Sequence, residues 1–201
     1  MNGLPRLVLA LTLITVGAGL LLSLVESLTR APIAEQRRLE TLRALQTVLP
    51  AFDNSPDADT VELAFGTDKK GRELKRTFFR GRQGAEISGV AFSVVAPDGY
   101  SGNINMMVGV DAGGTVVGLE ILTHAETPGL GDKITRDEFK GQFKGKALEG
   151  SDWRVKKDGG DFDQITGATI SPRAVVKAVH KGLQFYRDHQ QDVLTAERAS
   201  P

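Results

Sequence analysis

The chain has 201 residues, 25 basic and 25 acidic, so no net charge draws it to nucleic acid. It contains no cysteine, which excludes disulfides, thiolate zinc sites and iron–sulfur ligation within it. Any electron it carries must therefore sit on an organic cofactor, and the compartment is left open.

From Leu7 to Val25 no side chain is charged. At ~1.5 Å per residue this stretch spans about 28 Å, close to a ~30 Å hydrocarbon core. Its apolar run exceeds that of a cleaved signal, and Val25-Glu26-Ser27-Leu28 offers no small-x-small cleavage site, so an uncleaved anchor is expected. Thr12, Thr15, Gly17, Ala18, Gly19 and Ser23 give it a face that suits close approach of a membrane partner. Arg30, Arg37 and Arg38 after the span outnumber Arg6 before it, which taken alone would place the large domain in the cytoplasm.

After Pro32, the positions of Ile33, Leu39, Leu42, Leu45 and Val48 predict an amphipathic helix to Leu49, stopped by Pro50. It serves as a spacer packed on the globular domain or as a partner-binding helix. Residues 53–59 read as a polar loop. Val61 to Phe79 gives no clear pattern. Arg72, Lys75, Arg76, Arg80 and Arg82 form a basic run, read as a solvated face or as a patch for an acidic partner or lipid headgroups.

Strand signals then sharpen. Val90 to Val95 ends at the turn sequence Pro97-Asp98-Gly99. Ile104, Met106, Val108 and Val110 alternate, Asp111-Ala112-Gly113-Gly114 turns, and Val117, Leu119 and Ile121 alternate on the return, which predicts a hairpin. The return strand delivers Thr123, His124, Glu126 and Thr127 to its end, where sites are often built. His124 and Glu126 lack a third ligand for a metal, and His124 equally fits a structural role. Thr135-Arg136-Asp137-Glu138 reads as a capping box opening a short helix. Trp153 reads as core or, less readily, as a residue that stacks on a flat ligand. The tail after Gln190 is polar.

The most informative stretch is Asp163-Gln164-Ile165-Thr166-Gly167-Ala168-Thr169-Ile170-Ser171-Pro172. Gly167 permits a sharp turn, Ser171 suits an N-cap and Pro172 the first helical position. Val175, Val176, Val179, Leu183 and Tyr186 then recur at helical spacing. A phosphate on Thr169 would lie near free N–H groups and the positive end of the helix dipole. The same spacing also fits an ordinary threonine-rich turn that only caps a helix.

Asp163, Thr166, Gly167, Ala168, Thr169 and Ser171 match the flavinylation motif of the FMN-binding domain family, which this chain resembles. The segment His124 to Ile134 is similar to the same family. With the anchor, the resemblance extends to the G-subunit family of Rnf-type electron-transport complexes, and it runs along nearly the whole chain. It implies FMN bound covalently to Thr169 through a phosphoester, with Glu126, Thr127 and Leu130 touching the flavin beside Thr166, Gly167, Ala168 and Ser171. It implies a flavin transferase of the ApbE type that reads Asp163, Gly167, Ala168 and Thr169 and installs FMN from FAD with magnesium. Thr166 departs from the commoner serine but keeps the hydroxyl. Partners would be the other membrane and peripheral subunits, which pass electrons between ferredoxin and NAD while moving ions. The soluble domain would lie on the periplasmic side of the inner membrane, the opposite of the naive charge count.

The expected fold is α+β. Residues 1–30 form the anchor, 31–60 the amphipathic helix and linker, 61–190 an FMN-binding domain with an antiparallel sheet and flanking helices, and 191–201 a polar tail. No stand-alone catalysis and no metal are expected. A related alternative is the C subunit of a sodium-pumping NADH:quinone reductase, which shares the threonine motif. The alternatives from other classes are a non-redox membrane-anchored sensor or binding module and an outer-face hydrolase using His124 and Glu126.

Overall fold

The computed structural model describes residues 3–67 and 71–196. Contacts divide the chain into two units, Met1–Thr41 and Leu42–Pro201. From Leu4 onward the first lies within helix α1 (Leu4–Val48), which is exposed through its apolar N-terminal part. Among the described residues α1 is the one helix long and apolar enough to cross a membrane. It runs through Pro32 without interruption. Proline removes the bond to the carbonyl four residues back, that of Leu28, but both residues sit on an exposed stretch where no neighbour forces a stop.

The second unit is a five-stranded antiparallel meander with neighbours in chain order. Its strands are β1 (Thr60–Thr67), β2 (Glu73–Gln83), β3 (Glu86–Ala96), β4 (Ile104–Asp111) and β5 (Val116–Thr123). The fold is α+β, as the sequence predicts. Alternation sorts each strand between two faces. Phe78, Phe92, Val108 and Leu119 form one cross-strand row in register and point into the main core. Ala91 and Met107 point the other way, onto Leu45, Val48 and Leu49 at the end of α1.

That second face works only because it is nearly bare. A Cβ on Gly109 would lie 2.0 Å from the Val48 carbonyl oxygen, and one on Gly118 2.8 Å from the Val48 Cα. The chain at Val48 therefore rests directly on the sheet backbone. The amphipathic stretch expected from 33 to 49 buries its Leu45 and Val48 here.

The main core is closed by α3 (Ile170–Asp188), labelled after the short α2 (Asp137–Gly141). Val175, Val179, Leu183 and Tyr186 are buried on its inner face, with Tyr186 stacked on Phe92 at 5.7 Å between ring centroids. Each buried Val or Leu contributes ~1.5–3 kcal/mol, so packing rather than propensity holds α3. Trp153 is core: it packs on Phe162 at 4.9 Å and donates from Nε1 to the Ala147 carbonyl at 3.2 Å.

Three local expectations change. The capping box at Thr135 does not form, because Thr135 Oγ1 donates back to the Asp132 carbonyl at 2.8 Å, inside a 3-10 turn (Gly131–Thr135). The unassigned 61–79 region supplies β1 and much of β2. The polar C-terminus continues as α4 (Gln190–Thr195), where Val193 is fully buried; residues 197–201 of the expected tail lie outside the described residues.

The basic run of β2 explains how α4 is held. Arg80 is wholly buried and bonds Asp59 through Nε at 2.8 Å and through Nη2. Its Nη1 donates to the carbonyls of Val193 at 3.2 Å and Ala196 at 2.7 Å. Arg82 Nε takes the second Asp59 oxygen. Burial opposes ionisation of Asp59, but the hydrogen bonds from Arg82 and Arg80 outweigh it and hold the carboxyl below its ordinary value.

Candidate functional site

A pocket of about 290 Å³ opens where three loops meet the start of α3. Each loop has a reason to be there. The Pro97-Asp98-Gly99 turn closes β3 and brings Tyr100. The segment after β5 brings Glu126, Thr127, Leu130 and Gly131. The turn before α3 brings Gly167, Ala168, Thr169, Ile170 and Ser171.

Glu126 is the knot. Its side chain is buried, accepts from Ser171 Oγ at 2.5 Å through Oε2, and accepts from the Ser101 backbone N–H at 3.2 Å through Oε1. One carboxylate thus ties the first loop, the second loop and the helix start together. The fit around it is tight. A Cβ on Gly131 would lie 2.6 Å from Oε2, and one on Gly99 2.7 Å from Oε1. Its own backbone N–H donates to His124 Nδ1 at 3.1 Å, so His124 shapes the strand end. Among the described residues no three His, Asp or Glu side chains gather in metal-binding geometry.

The helix begins two residues earlier than the sequence predicts. Thr169 occupies the cap position with helical dihedrals and its carbonyl accepts from the Arg173 N–H at 3.2 Å. Ser171 lies inside the first turn, its hydroxyl spent on Glu126 rather than on capping. Gly167, with φ of 82°, makes the turn that the Ala168 N–H closes onto the Ile165 carbonyl at 3.0 Å. Among the described residues no side chain caps the helix, so the half-buried Thr169 hydroxyl is not committed to it. The N–H groups of Ile170 and Ser171 have no intrahelical acceptor, being in the first turn.

Two salt bridges brace this helix start. Arg173 forks onto Asp158 through Nε at 2.6 Å and Nη2 at 2.5 Å, and Lys177 bonds Asp98. The hydrogen bond from Lys177 holds the Asp98 carboxyl below its ordinary range, and that from Arg173 does the same for Asp158.

The rim is apolar and open. Leu130 is 43% exposed, Ile170 46% and Tyr100 68%, unusual for large apolar side chains gathered round one opening. Polar donors at a helix N-terminus beside exposed apolar and aromatic surface suit a ligand with a phosphate at one end and a flat ring at the other.

A family model described as FMN-binding domain matches residues 99–184. The chain is 42% identical over 195 residues to the G subunit of the ion-translocating oxidoreductase complex of Aliivibrio fischeri (strain MJ11), covering 93% of this chain and 92% of that relative. The protein of the same description from Pseudomonas aeruginosa (strain UCBPP-PA14) is 42% identical over 192 residues, covering 92% and 89%. The chain belongs to this G-subunit family.

Among solved structures, the C subunit of the Na(+)-translocating NADH-quinone reductase from Parabacteroides distasonis superposes with a TM-score of 0.52 at 19% identity, covering 75% of this chain and 80% of that one, a likeness of fold. Of the residues singled out in this member of the G-subunit family, Glu126, Thr127, Leu130, Gly167, Ala168, Thr169 and Ser171 meet at the pocket. Thr166 is exposed and does not line it. Asp163 lines a neighbouring groove instead, and it pairs with Lys156 at 2.8 Å. Tyr100, Gly131 and Ile170 line the pocket but were not singled out by sequence. An exposed tyrosine directly after a Pro-Asp-Gly turn was a usable signal for the first.

Proposed function

We propose that this chain is the membrane-anchored FMN carrier of an Rnf-type complex, with Thr169 holding the cofactor through a phosphoester. The observation that carries the reading is the uncommitted hydroxyl of Thr169 at the start of α3, in a pocket rimmed by Tyr100, Leu130 and Ile170. FMN passes one or two electrons, which lets a two-electron donor feed a one-electron acceptor.

The chain's own residues position the group. Thr169 fixes the phosphate end, and the N–H groups of Ile170 and Ser171 with the helix dipole offset its charge. Thr127 offers a hydroxyl, Leu130 and Ile170 offer apolar surface, and Glu126 sets the loops through Ser171 and Ser101. Gly167 and Ala168 keep the turn small enough for close approach. A covalent link suits a carrier on the outer, periplasmic face of the inner membrane, where a free flavin would be lost.

Attachment needs a separate flavin transferase of the ApbE type, transferring FMN from FAD with magnesium. The Thr169 Oγ1–phosphorus bond forms, the pyrophosphate bond of FAD breaks, AMP leaves and the threonine proton is lost. Asp163 and Thr166, exposed beside the pocket, are accessible for recognition by that enzyme. Within the complex, electrons pass between ferredoxin and NAD on other subunits while ions are moved. Co-expression with the transferase tests the reading. Flavin fluorescence should stay with the denatured wild-type chain and vanish in Thr169→Val; a colourless wild type beside an active transferase would overturn it.

A further inference from the structure

A second cleft of about 350 Å³ lies between the sheet and α3, with Phe65, Arg76, Asp98, Lys177, Lys181 and Phe185 among its lining residues. Arg76 is its distinctive member. Its guanidinium carbon sits 5.0 Å from the Phe65 ring centroid and 4.8 Å from that of Phe185, and its Nη1 is buried with no hydrogen-bond partner among the described residues. The contrast within one strand is sharp, since Arg80 and Arg82 share the carboxylate of Asp59. Burial pushes the Arg76 guanidinium pKa down, yet arginine keeps its proton in proteins. The aromatic clamp therefore holds at the cleft wall a cation whose charge no carboxylate answers among the described residues.

A second charge stands beside it. Lys177 is neutralised by Asp98, whereas Lys181 makes no ion pair among the described residues. Val94, Val95, Pro97, Ala174 and Ala178 supply apolar walls. Among the described residues β1 is an edge strand, paired with β2 alone, and Phe65 beside the cleft is exposed. A planar guanidinium fork matches a carboxylate, and an open strand edge matches a polypeptide backbone. The shared α3 face continues from Ile170 at the first pocket to Ala174 in this one, about 6 Å along the helix axis.

We propose that this cleft docks an acidic side chain, flanked by apolar residues, from another protein of the complex, which is thereby seated beside the Thr169 pocket. The docking holds whether or not Thr169 carries a flavin.

The test uses the assembled membrane complex, with the full chain carrying a photoreactive benzoylphenylalanine at Val95, and adducts mapped by mass spectrometry. The expected adduct is a peptide of another protein of the complex, close to an Asp or Glu. Arg76→Gln, checked for folding by Trp153 fluorescence, should lower its yield at least about tenfold, the scale expected when one partner of a desolvated charge pair is removed. The adduct should persist in Thr169→Val, which separates this proposal from the flavin reading. Adducts with lipid alone, no adduct, a protein segment without an acid, or a yield indifferent to Arg76→Gln would each overturn it.

Discussion

Replacing Arg80 with methionine should unfasten the C-terminal segment and destabilise the whole soluble unit. Methionine roughly fills the stem but removes every donor. Asp59 would lose the bonds to Nε and Nη2, and the carbonyls of Val193 and Ala196 would lose theirs. Removing one partner of a buried pair costs ~3–5 kcal/mol. Arg82 still holds the other Asp59 oxygen, so the low end, about 3 kcal/mol, is expected here. That is a fall in Tm of roughly 6–12 °C for a unit of this size. The single tryptophan, Trp153, is buried among Phe143 and Phe162 and reports urea unfolding directly. A cycle with Asp59→Asn isolates the pair from the two carbonyl bonds. The amide of Val193, bonded to the His189 carbonyl at 3.0 Å, should also exchange faster in Arg80→Met. A loss below about 1 kcal/mol, with unchanged exchange at Val193, would refute the argument that this buried cation fastens α4.

The same carboxylate gives a pH signature. Asp59 titrates below its ordinary 3.8 when folded, so its contribution is complete above that value and is lost as pH falls through the lower folded value. Acid titration of stability should steepen below about pH 3.8, and Asp59→Asn should flatten that part of the curve. Gly109→Ala should cost at least ~1–3 kcal/mol, because its Cβ would meet the Val48 backbone at 2.0 Å; Gly141→Ala, which meets nothing within 4 Å, is the neutral control in the same urea assay. Glu126→Ala should cost ~2–3 kcal/mol, since a charged acceptor of two bonds disappears from a buried site. Glu126→Gln, which keeps an acceptor oxygen, should lose less, and flavin loading in co-expressed protein should fall in the same order.

Legibility followed the physics of burial. The β4–β5 hairpin could be read because Met106, Val108, Val110, Leu119 and Ile121 alternate onto the core face. The α3 stripe could be read for the same reason. The second face of the hairpin could not, since Met107 and Gly109 are covered by the end of α1. β1 and β2 could not, because Arg80 and Arg82 look like surface while Arg80 is wholly buried and Arg82 half-buried, their charge answered by Asp59 some twenty positions away in sequence. The helix start was misplaced because Ser171 resembles a cap, and only the fold reveals that Glu126 claims its hydroxyl. The residues expected at the site from Glu126 to Ser171 could be named through a motif, whereas Tyr100 arrives on a separate loop that no local pattern links to Thr169. Glycines such as Gly109 carry no periodic signal, since their purpose is an approach by a distant segment.

The central claim is that Thr169 carries FMN through its hydroxyl. Intact mass of the full chain co-expressed with an active flavin transferase, followed by fragmentation of the peptide spanning residues 163–173, tests it most directly. The account predicts a gain of one FMN less one water, localised to Thr169 and absent from Thr169→Val. An unmodified wild-type mass, or the same gain localised to another residue, would contradict it.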